Sequence, residues 1–317
     1  MAGFAEAVPK PGAHSPIPFG AGGRRGAGDE RSAAPPIYEN LDVRFETAAG
    51  IYWCYLNPVE RPSFTLGLLR DLSLVQQSFT RMFAAARRDE PPIRYVVVDS
   101  HTQGIFNLGG DLLYFSELIR NQDRERLREY GRACVGVIYQ NAIAYDLPLI
   151  TIALVRGDAL GGGFEAALTF DILVAEKGTK FGLPEILFNL FPGMGAYNLL
   201  ERKIGAAKAE QMILSGQIYT AEELHAMNLV HVLAEPGEGE VAVRDYIRRH
   251  GRRHQAQAAV YNVGRTVRPI VISELLDVVD IWVETALKLQ KSDLRKMERL
   301  AAAQGKRGQG SATALAG

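Results

Sequence analysis

The sequence has little of three things that would mark out a class of protein. It has only two cysteines, Cys54 and Cys134, too few for a disulfide framework and without metal-ligand spacing, so we expect buried free thiols and no metal site. No apolar run approaches the roughly 18 residues of a membrane span. Its 36 basic and 36 acidic residues cancel, which removes any bulk electrostatic case for binding nucleic acid. The first residues show no basic region followed by an apolar one, so we expect a cytoplasmic location rather than secretion.

What the chain does contain is enough apolar sequence for a large core. Hydrophobic residues make up 47% of the 317 residues and charged residues 23%, which is typical of a globular protein. Composition and periodicity predict four regions: a disordered leader over 1–36, a core of strands and helices over 37–235, a helical C-terminal region over 236–303 and a flexible tail over 304–317.

Short β-branched runs alternate with helical patterns along the core. This alternation predicts an α/β fold whose parallel strands are joined by right-handed crossovers. A hairpin is expected over Leu41–Leu56, and buried strands near Tyr95–Val98, Leu149–Val155 and Phe170–Ala175. At the C-terminal end, Ile272–Leu300 is predicted to form one long amphipathic helix that covers either its own domain or a neighbouring subunit.

The segment from Gly157 to Gly195 contains the strongest candidate for a site. Glu165 directly follows a triple-glycine turn, and Glu185 lies in a Gly-Leu-Pro-Glu turn. A carboxylate among apolar neighbours has a raised pKa, which suits acid/base work. Glycines at a helix start allow a backbone N–H such as that of Gly162 to approach a carbonyl oxygen that develops negative charge. The pattern therefore indicates chemistry on a carbonyl compound.

A second glycine-rich loop, Phe106–Asp111, follows the strand near Tyr95 and could supply another N–H to the same oxygen. Each motif alone is more often structural: three glycines can be a tight turn without a ligand, and a single glutamate is usually solvated or a helix cap. Only their conjunction favours a catalytic site. A serine hydrolase is disfavoured because no G-x-S-x-G elbow occurs.

These motifs resemble the enoyl-CoA hydratase (crotonase) superfamily in order and spacing over about residues 40 to 300. The resemblance implies a spiral of ββα units, a helical C-terminal region, and trimers or dimers of trimers. It also implies that Glu165 and Glu185 handle protons, and that the oxyanion hole is formed by Gly162 together with either Leu108 or Gly109. The matching segments are Phe106–Asp111, Gly157–Glu165, Gly182–Glu185 with Pro192 and Gly195, and Thr220–Val230.

Departures from ordinary hydratases resemble the diffusible signal factor synthase branch of the superfamily. Asn189 stands where glycine is frequent, and Phe164 replaces a smaller residue. That branch implies a bifunctional dehydratase and thioesterase, which converts a medium-chain 3-hydroxyacyl-[acyl carrier protein] to a free cis-2-unsaturated fatty acid used in quorum sensing. It further implies an acyl pocket that includes Phe164, Met194 and Trp282.

The same resemblance implies no cofactor beyond the phosphopantetheine carrier, acyl carrier protein or CoA, and it adds a sensor-kinase partner to the expectations. Two other functions stay open. The first is a CoA-dependent enoyl-CoA hydratase/isomerase of fatty-acid metabolism. The second is a non-catalytic regulatory binding protein that keeps the fold, against which the retention of both glutamates argues.

Overall fold

A computed structural model describes residues 37–86 and 91–313 of the chain, with side chains described as far as residue 302. The leader predicted for residues 1–36 lies outside the described residues. Within the described part, no helix combines the length and apolar character needed to cross a membrane.

In the described part of the chain, ten strands form two sheets. In chain order they are β1 (Leu41–Glu46), β2 (Ile51–Leu56), β3 (Tyr95–Ser100), β4 (Ile105–Asn107), β5 (Ile150–Val155), β6 (Asp158–Leu160), β7 (Ile172–Glu176), β8 (Lys180–Gly182), β9 (Ile218–Thr220) and β10 (Val232–Ala234). The larger sheet has the order β1-β2-β3-β5-β7-β10 and the smaller sheet the order β4-β6-β8-β9. In the larger sheet only β1 is antiparallel to its neighbour, and β2, β3, β5 and β7 are buried along their whole length.

The helices occupy the intervals between these strands and the whole C-terminal region. They are α1 (Leu66–Ala85), α2 (Leu112–Arg120), α3 (Arg124–Ala142), α4 (Gly162–Ala167), α5 (Ala196–Ile204), α6 (Ala206–Ser215), α7 (Ala221–Ala226), α8 (Gly239–His250), α9 (His254–Val267), α10 (Ile272–Ala286) and α11 (Lys291–Thr313). Short 3-10 turns lie at Ala144–Asp146, Pro184–Phe188 and Gly251–Arg253.

A repeated ββα unit organises the core. The pairs β3-β4 and β5-β6 each place one strand in the larger sheet and the next in the smaller sheet before the chain enters a helix, and β7-β8 leads into the 3-10 turn and α5 in the same way. This arrangement confirms the predicted α/β fold with its spiral of ββα units and helical C-terminal region. Since the second strands lie side by side, the loops that follow them meet at one place.

The prediction of one long helix over Ile272–Leu300 is wrong, because the structure has two helices there, α10 and α11. The division falls at Leu287–Gln290, because the carboxylate of Asp293 accepts the Gln290 N–H at 3.2 Å and so caps a new helix start. The second piece, α11, continues to Thr313, through residues for which the sequence predicted a flexible tail. Extension of a formed helix costs far less than a new nucleus, which explains how it runs into the glycine-containing end.

Helices α10 and α11 both cover the domain from which they come. Val279 of α10 packs so closely on α3 that a Cβ added at Gly131 would lie 2.7 Å from its Cγ1. Leu294 and Met297 of α11 are buried. Helices α10 and α11 therefore cover their own domain, and contact with a neighbouring subunit stays a prediction.

Gly157 offers a test of the contact between the segments that lead into β4 and β6. A Cβ added there would lie 2.1 Å from the Gly104 carbonyl carbon and 2.2 Å from the Ile105 nitrogen, which are backbone atoms that cannot rotate away. We expect Gly157→Ala to lower the free energy of unfolding by about 3 kcal/mol or more in urea titrations. The control is Gly264→Ala in α9, where nothing lies within 4 Å; it should stabilise the protein by roughly 0.5–1 kcal/mol. Equal behaviour of the two variants would contradict the packing described.

Candidate active site

The triple glycine at the start of α4 brings three other segments into close contact. Gly161 has φ +52, and a Cβ built on it would lie 2.6 Å from Glu185 Oε1. The corresponding atom on Gly162 would lie 2.4 Å from Met194 Sδ, and that on Gly163 would lie 2.0 Å from the Asn107 carbonyl oxygen. Glycine is required at Gly163 by the fixed backbone of Asn107 and favoured at Gly161 by its positive φ. Together the three glycines let Glu185, Met194 and the loop after β4 lie against α4.

Gly162 presents an N–H group to this junction. It is the first residue of α4, and the first N–H groups of a helix have no acceptor within the helix. No other acceptor among the described residues takes up this N–H. The loop after β4 faces it, since a Cβ added at Gly109 would lie 2.8 Å from the Gly162 nitrogen. The geometry gives one clear donor for a carbonyl oxygen.

The sequence left Leu108 and Gly109 as alternatives for the second oxyanion donor. In the structure, the N–H group of each residue already has an acceptor. The Leu108 N–H donates to the Pro62 carbonyl at 2.7 Å, and the Gly109 N–H donates to Asn107 Oδ1 at 2.8 Å. Leu108 lines the cavity described below, whereas Gly109 is not part of its wall. A bound carbonyl would have to share or replace the present acceptor of either N–H group.

Glu165 is buried in α4 and held through one oxygen. Its Oε1 accepts the N–H of Met194 at 2.8 Å and that of Ala196 at 2.9 Å. Burial raises the pKa of this carboxyl well above its usual range, the charge of nearby Glu185 raises it further, and the two N–H groups only partly offset the increase. Both causes favour the protonated form of the Glu165 carboxyl over the ionised form.

Glu185 lies in the 3-10 turn Pro184–Phe188, which ends at Asn189 in the left-handed conformation with φ +63. Asparagine and glycine are the residues that adopt this conformation most readily, which accounts for asparagine at a position where the resembling family often has glycine. The residue is half-buried as a whole, but its Oε2 is inaccessible and has no hydrogen-bond partner among the described residues. Burial raises the pKa of Glu185 to about 7.

The two carboxyls differ in a way that suits proton transfer. Burial and the charge of Glu185 raise the pKa of Glu165 well above its usual range, whereas the pKa of Glu185 is raised to about 7. Environments that separate the pKa values of two neighbouring acids are how enzymes obtain an acid and a base from the same residue type. The unpartnered Glu185 oxygen also provides an unused acceptor for a hydroxyl or a water.

A cavity of about 610 Å³, counted with its opening, joins both glutamates to the Gly162 N–H. Met194 and Trp282, both predicted for an acyl pocket, lie in its wall. Most of the remaining wall is apolar and includes Leu112, Phe115, Leu190 and Leu300. The cavity can therefore hold an aliphatic chain with a polar reacting end.

The prediction that Phe164 lines this pocket is wrong. Its side chain is fully buried and packs edge-to-face on Phe181, with the ring centres 5.4 Å apart. Consecutive residues on a helix point roughly 100° apart, so when Glu165 faces the cavity, Phe164 faces the core. The larger residue at this position fills the interior of the fold.

Several wall residues were not found by sequence reasoning. Tyr130 and Cys134 of α3, Phe115 of α2 and Leu300 of α11 all border the cavity. The spacing of Leu127, Tyr130 and Cys134 marks a buried helix face, but the spacing alone does not distinguish a core from a cavity. Burial raises the pKa of the thiols of both Cys54 and Cys134 to about 12, so neither supplies a nucleophile.

A profile of the enoyl-CoA hydratase/isomerase family matches residues 71–253, more than half of the chain. The chain belongs to the enoyl-CoA hydratase/isomerase family.

Two curated relatives indicate the range of sequence similarity. The chain is 36% identical over 160 residues to the mitochondrial methylglutaconyl-CoA hydratase of Rattus norvegicus, covering 50% of this chain and 49% of the relative. It is 27% identical over 202 residues to the crotonyl-CoA hydratase of Syntrophomonas wolfei, covering 63% and 71%. The chain thus spans about half the length of the first curated relatives it matches.

Solved structures share the fold. An enoyl-CoA hydratase from Bacillus halodurans superposes with a TM-score of 0.68 at 19% identity, covering 82% of this chain and 100% of that one. DspI from Pseudomonas aeruginosa superposes with a TM-score of 0.63 at 23% identity, covering 78% and 93%.

The raised pKa of Glu185 has a consequence for stability. A carboxyl whose pKa is higher in the folded protein than in the unfolded chain binds its proton more tightly when folded, so its stabilising contribution is complete below the usual carboxyl range and is lost as pH rises through about 7. Between about pH 5 and pH 8 we expect the Tm of the wild-type protein to fall by roughly 2 °C or more relative to that of Glu185→Gln.

Glu129→Gln, on the exposed face of α3, is the matched control for that experiment and should follow the wild-type curve. Parallel curves for wild type and Glu185→Gln in differential scanning calorimetry would show that ionisation of this carboxyl is not opposed by burial.

Proposed function

We propose that this protein catalyses the reversible addition of water across the C2–C3 double bond of a 2-enoyl-CoA thioester. One observation carries the proposal: two carboxyls with raised pKa values open onto the same apolar cavity as a free helix-start N–H. The family membership and the hydratase names of the curated relatives support it.

The chemistry requires three things from the site. The Gly162 N–H donates to the thioester oxygen and stabilises the negative charge that forms there when C3 is attacked. The ionised carboxyl accepts a proton from water as its oxygen bonds to C3, and the protonated carboxyl delivers a proton to C2. Atoms and charge then balance, with the proton exchanged between the two glutamates. Dehydration of a 3-hydroxyacyl thioester is the same sequence in reverse.

Replacement of either glutamate by glutamine tests the role of the pair. Glu165→Gln keeps the oxygen that accepts the Met194 and Ala196 N–H groups, so the fold should persist while the proton is lost. We expect each of Glu165→Gln and Glu185→Gln to lower kcat for hydration of crotonyl-CoA by about 10²–10⁴-fold. Exposed Glu129→Gln should stay within about twofold of wild type. Full activity in both buried variants would place the chemistry elsewhere, or leave only a binding role for the fold.

A second candidate is the bifunctional dehydratase and thioesterase of the signal factor synthase branch. The near-neutral pKa of Glu185 favours it, because one carboxyl can act as an acid in dehydration and then, ionised, as a base for water. That water would attack the thioester carbonyl, the C–S bond would break, and the carrier thiol would leave with a proton. The product is a free cis-2-unsaturated acid of medium chain length.

One experiment separates the two candidates. The purified protein is incubated in parallel with a 2-enoyl-CoA, a 3-hydroxyacyl-CoA and a 3-hydroxyacyl-[acyl carrier protein], and products are identified by mass spectrometry. Interconversion of the two CoA thioesters without release of free thiol supports the hydratase. Free cis-2-enoic acid from the carrier-protein substrate supports the synthase. No conversion of any of the three would contradict both.

A further inference from the structure

The hydroxyl of Tyr130 joins three segments at the edge of the cavity. Its oxygen accepts the Asp111 N–H at 2.7 Å, and its proton is donated to the Phe64 carbonyl at 2.8 Å. Tyr130 lies on α3, Asp111 ends the loop after β4, and Phe64 precedes α1. The side chain is buried and belongs to the cavity wall. A single phenol thus connects a rigid helix to two loops.

Those two loops are also hydrogen-bonded to each other. We call residues 108–111 the glycine loop and residues 61–65 the strap. The Leu108 N–H donates to the Pro62 carbonyl at 2.7 Å, and the Phe64 N–H donates to the Gly109 carbonyl at 2.8 Å. Tyr130 closes this pairing at its far end, because it bonds to one member of each segment. The position of the glycine loop therefore depends on a contact from α3.

Besides the two backbone hydrogen bonds, an ion pair links strap and glycine loop. It joins Arg61 Nη2 to Asp111 Oδ2 at 2.7 Å, with the arginine side chain 35% exposed and the carboxylate buried. The Tyr130 hydroxyl satisfies two further backbone groups that have no access to solvent at that point, and leaving such groups unpaired is costly. Burial also raises the pKa of Tyr130 well above its usual range, so the hydroxyl keeps the proton that it donates.

We propose that Tyr130 is a positioning residue for the reaction: its hydroxyl holds the glycine loop against the start of α4, and so fixes the place of the Gly162 N–H that binds the thioester oxygen. The role follows from the packing of the two segments, since a Cβ added at Gly109 would lie 2.8 Å from the Gly162 nitrogen. A displacement of about 1 Å at such a site can lower a rate by about 10²-fold. The expected effect of the Tyr130 hydroxyl on the reaction rate rests on the proposed function. Its effect on the position of the glycine loop does not.

Tyr130→Phe tests the proposal with minimal disturbance, because the ring contacts with Tyr114 and Phe115 persist and only the hydroxyl is lost. Tyr139→Phe on the same helix is the matched control, since that tyrosine is buried but does not border the cavity. For crotonyl-CoA hydration we expect kcat to fall about tenfold or more in Tyr130→Phe with KM within about twofold, and both constants to be near wild type in Tyr139→Phe.

Two further readouts separate positioning from general stability. Hydrogen exchange of the free protein should show faster exchange at the amides of residues 108–111 in Tyr130→Phe and not in Tyr139→Phe. With a chromophoric dienoyl-CoA, the red shift on binding, which reports polarisation of the thioester carbonyl, should be smaller in Tyr130→Phe than in wild type.

The outcomes distinguish this proposal from the proposed function. If wild type shows no hydration but the loop amides exchange faster in Tyr130→Phe, the hydratase assignment fails and the positioning role stands. Unchanged exchange at residues 108–111 would overturn the positioning role whatever the activity. A loss of kcat shared equally by Tyr139→Phe, or one that follows a fall in melting temperature alone, would overturn it as well.

Discussion

The structure depends on the close approach of two backbone segments at the start of α4. Gly163 lies against the Asn107 carbonyl and Gly162 against Gly109, at distances that leave no room for a side chain. Because β4, β6 and β8 lie side by side in the smaller sheet, the loops after them are brought to one point, and glycine permits the final contact. The helix start, the turn that carries Glu185 and the loop that carries Met194 all take their positions from this junction.

Electrostatics at the junction follows from the same packing. The contacts that exclude side chains also exclude water, so both carboxyls lose solvation and their pKa values rise. Glu165 recovers part of that loss from two backbone N–H groups, whereas Glu185 Oε2 recovers none within the described residues. Desolvation is the largest cause of the raised pKa at both carboxyls, and the charge of Glu185 raises the pKa of Glu165 further. The raised pKa values are thus a property of backbone geometry as much as of the glutamates.

Much of this could be predicted from the sequence, and the failures have physical causes. The alternation of buried strands and helices predicted the fold, and glycine next to glutamate marked the junction, because both signals are local. The break at Leu287–Gln290 was missed because a single capping carboxylate, Asp293, competes with a continuous apolar face. Phe164 was misplaced because which helix face meets a cavity depends on distant packing. The engagement of the Leu108 and Gly109 N–H groups depends on Pro62 and Asn107, which no spacing rule connects to them.

The two cysteines take no part in the proposed chemistry, but their burial has a consequence for assays that detect thiols. Both thiols are buried, and burial raises their pKa to about 12, so in the folded state almost no thiolate is present to react. A thiol-specific dye would therefore detect a carrier sulfhydryl only in the reaction of the second candidate, since hydration breaks no C–S bond, and the folded enzyme would add little background. Since Cys134 borders the cavity and Cys54 does not, slow labelling located at Cys134 would report how often α3 separates from the site. The labelling rate of Cys134 thus measures how often the cavity opens at α3.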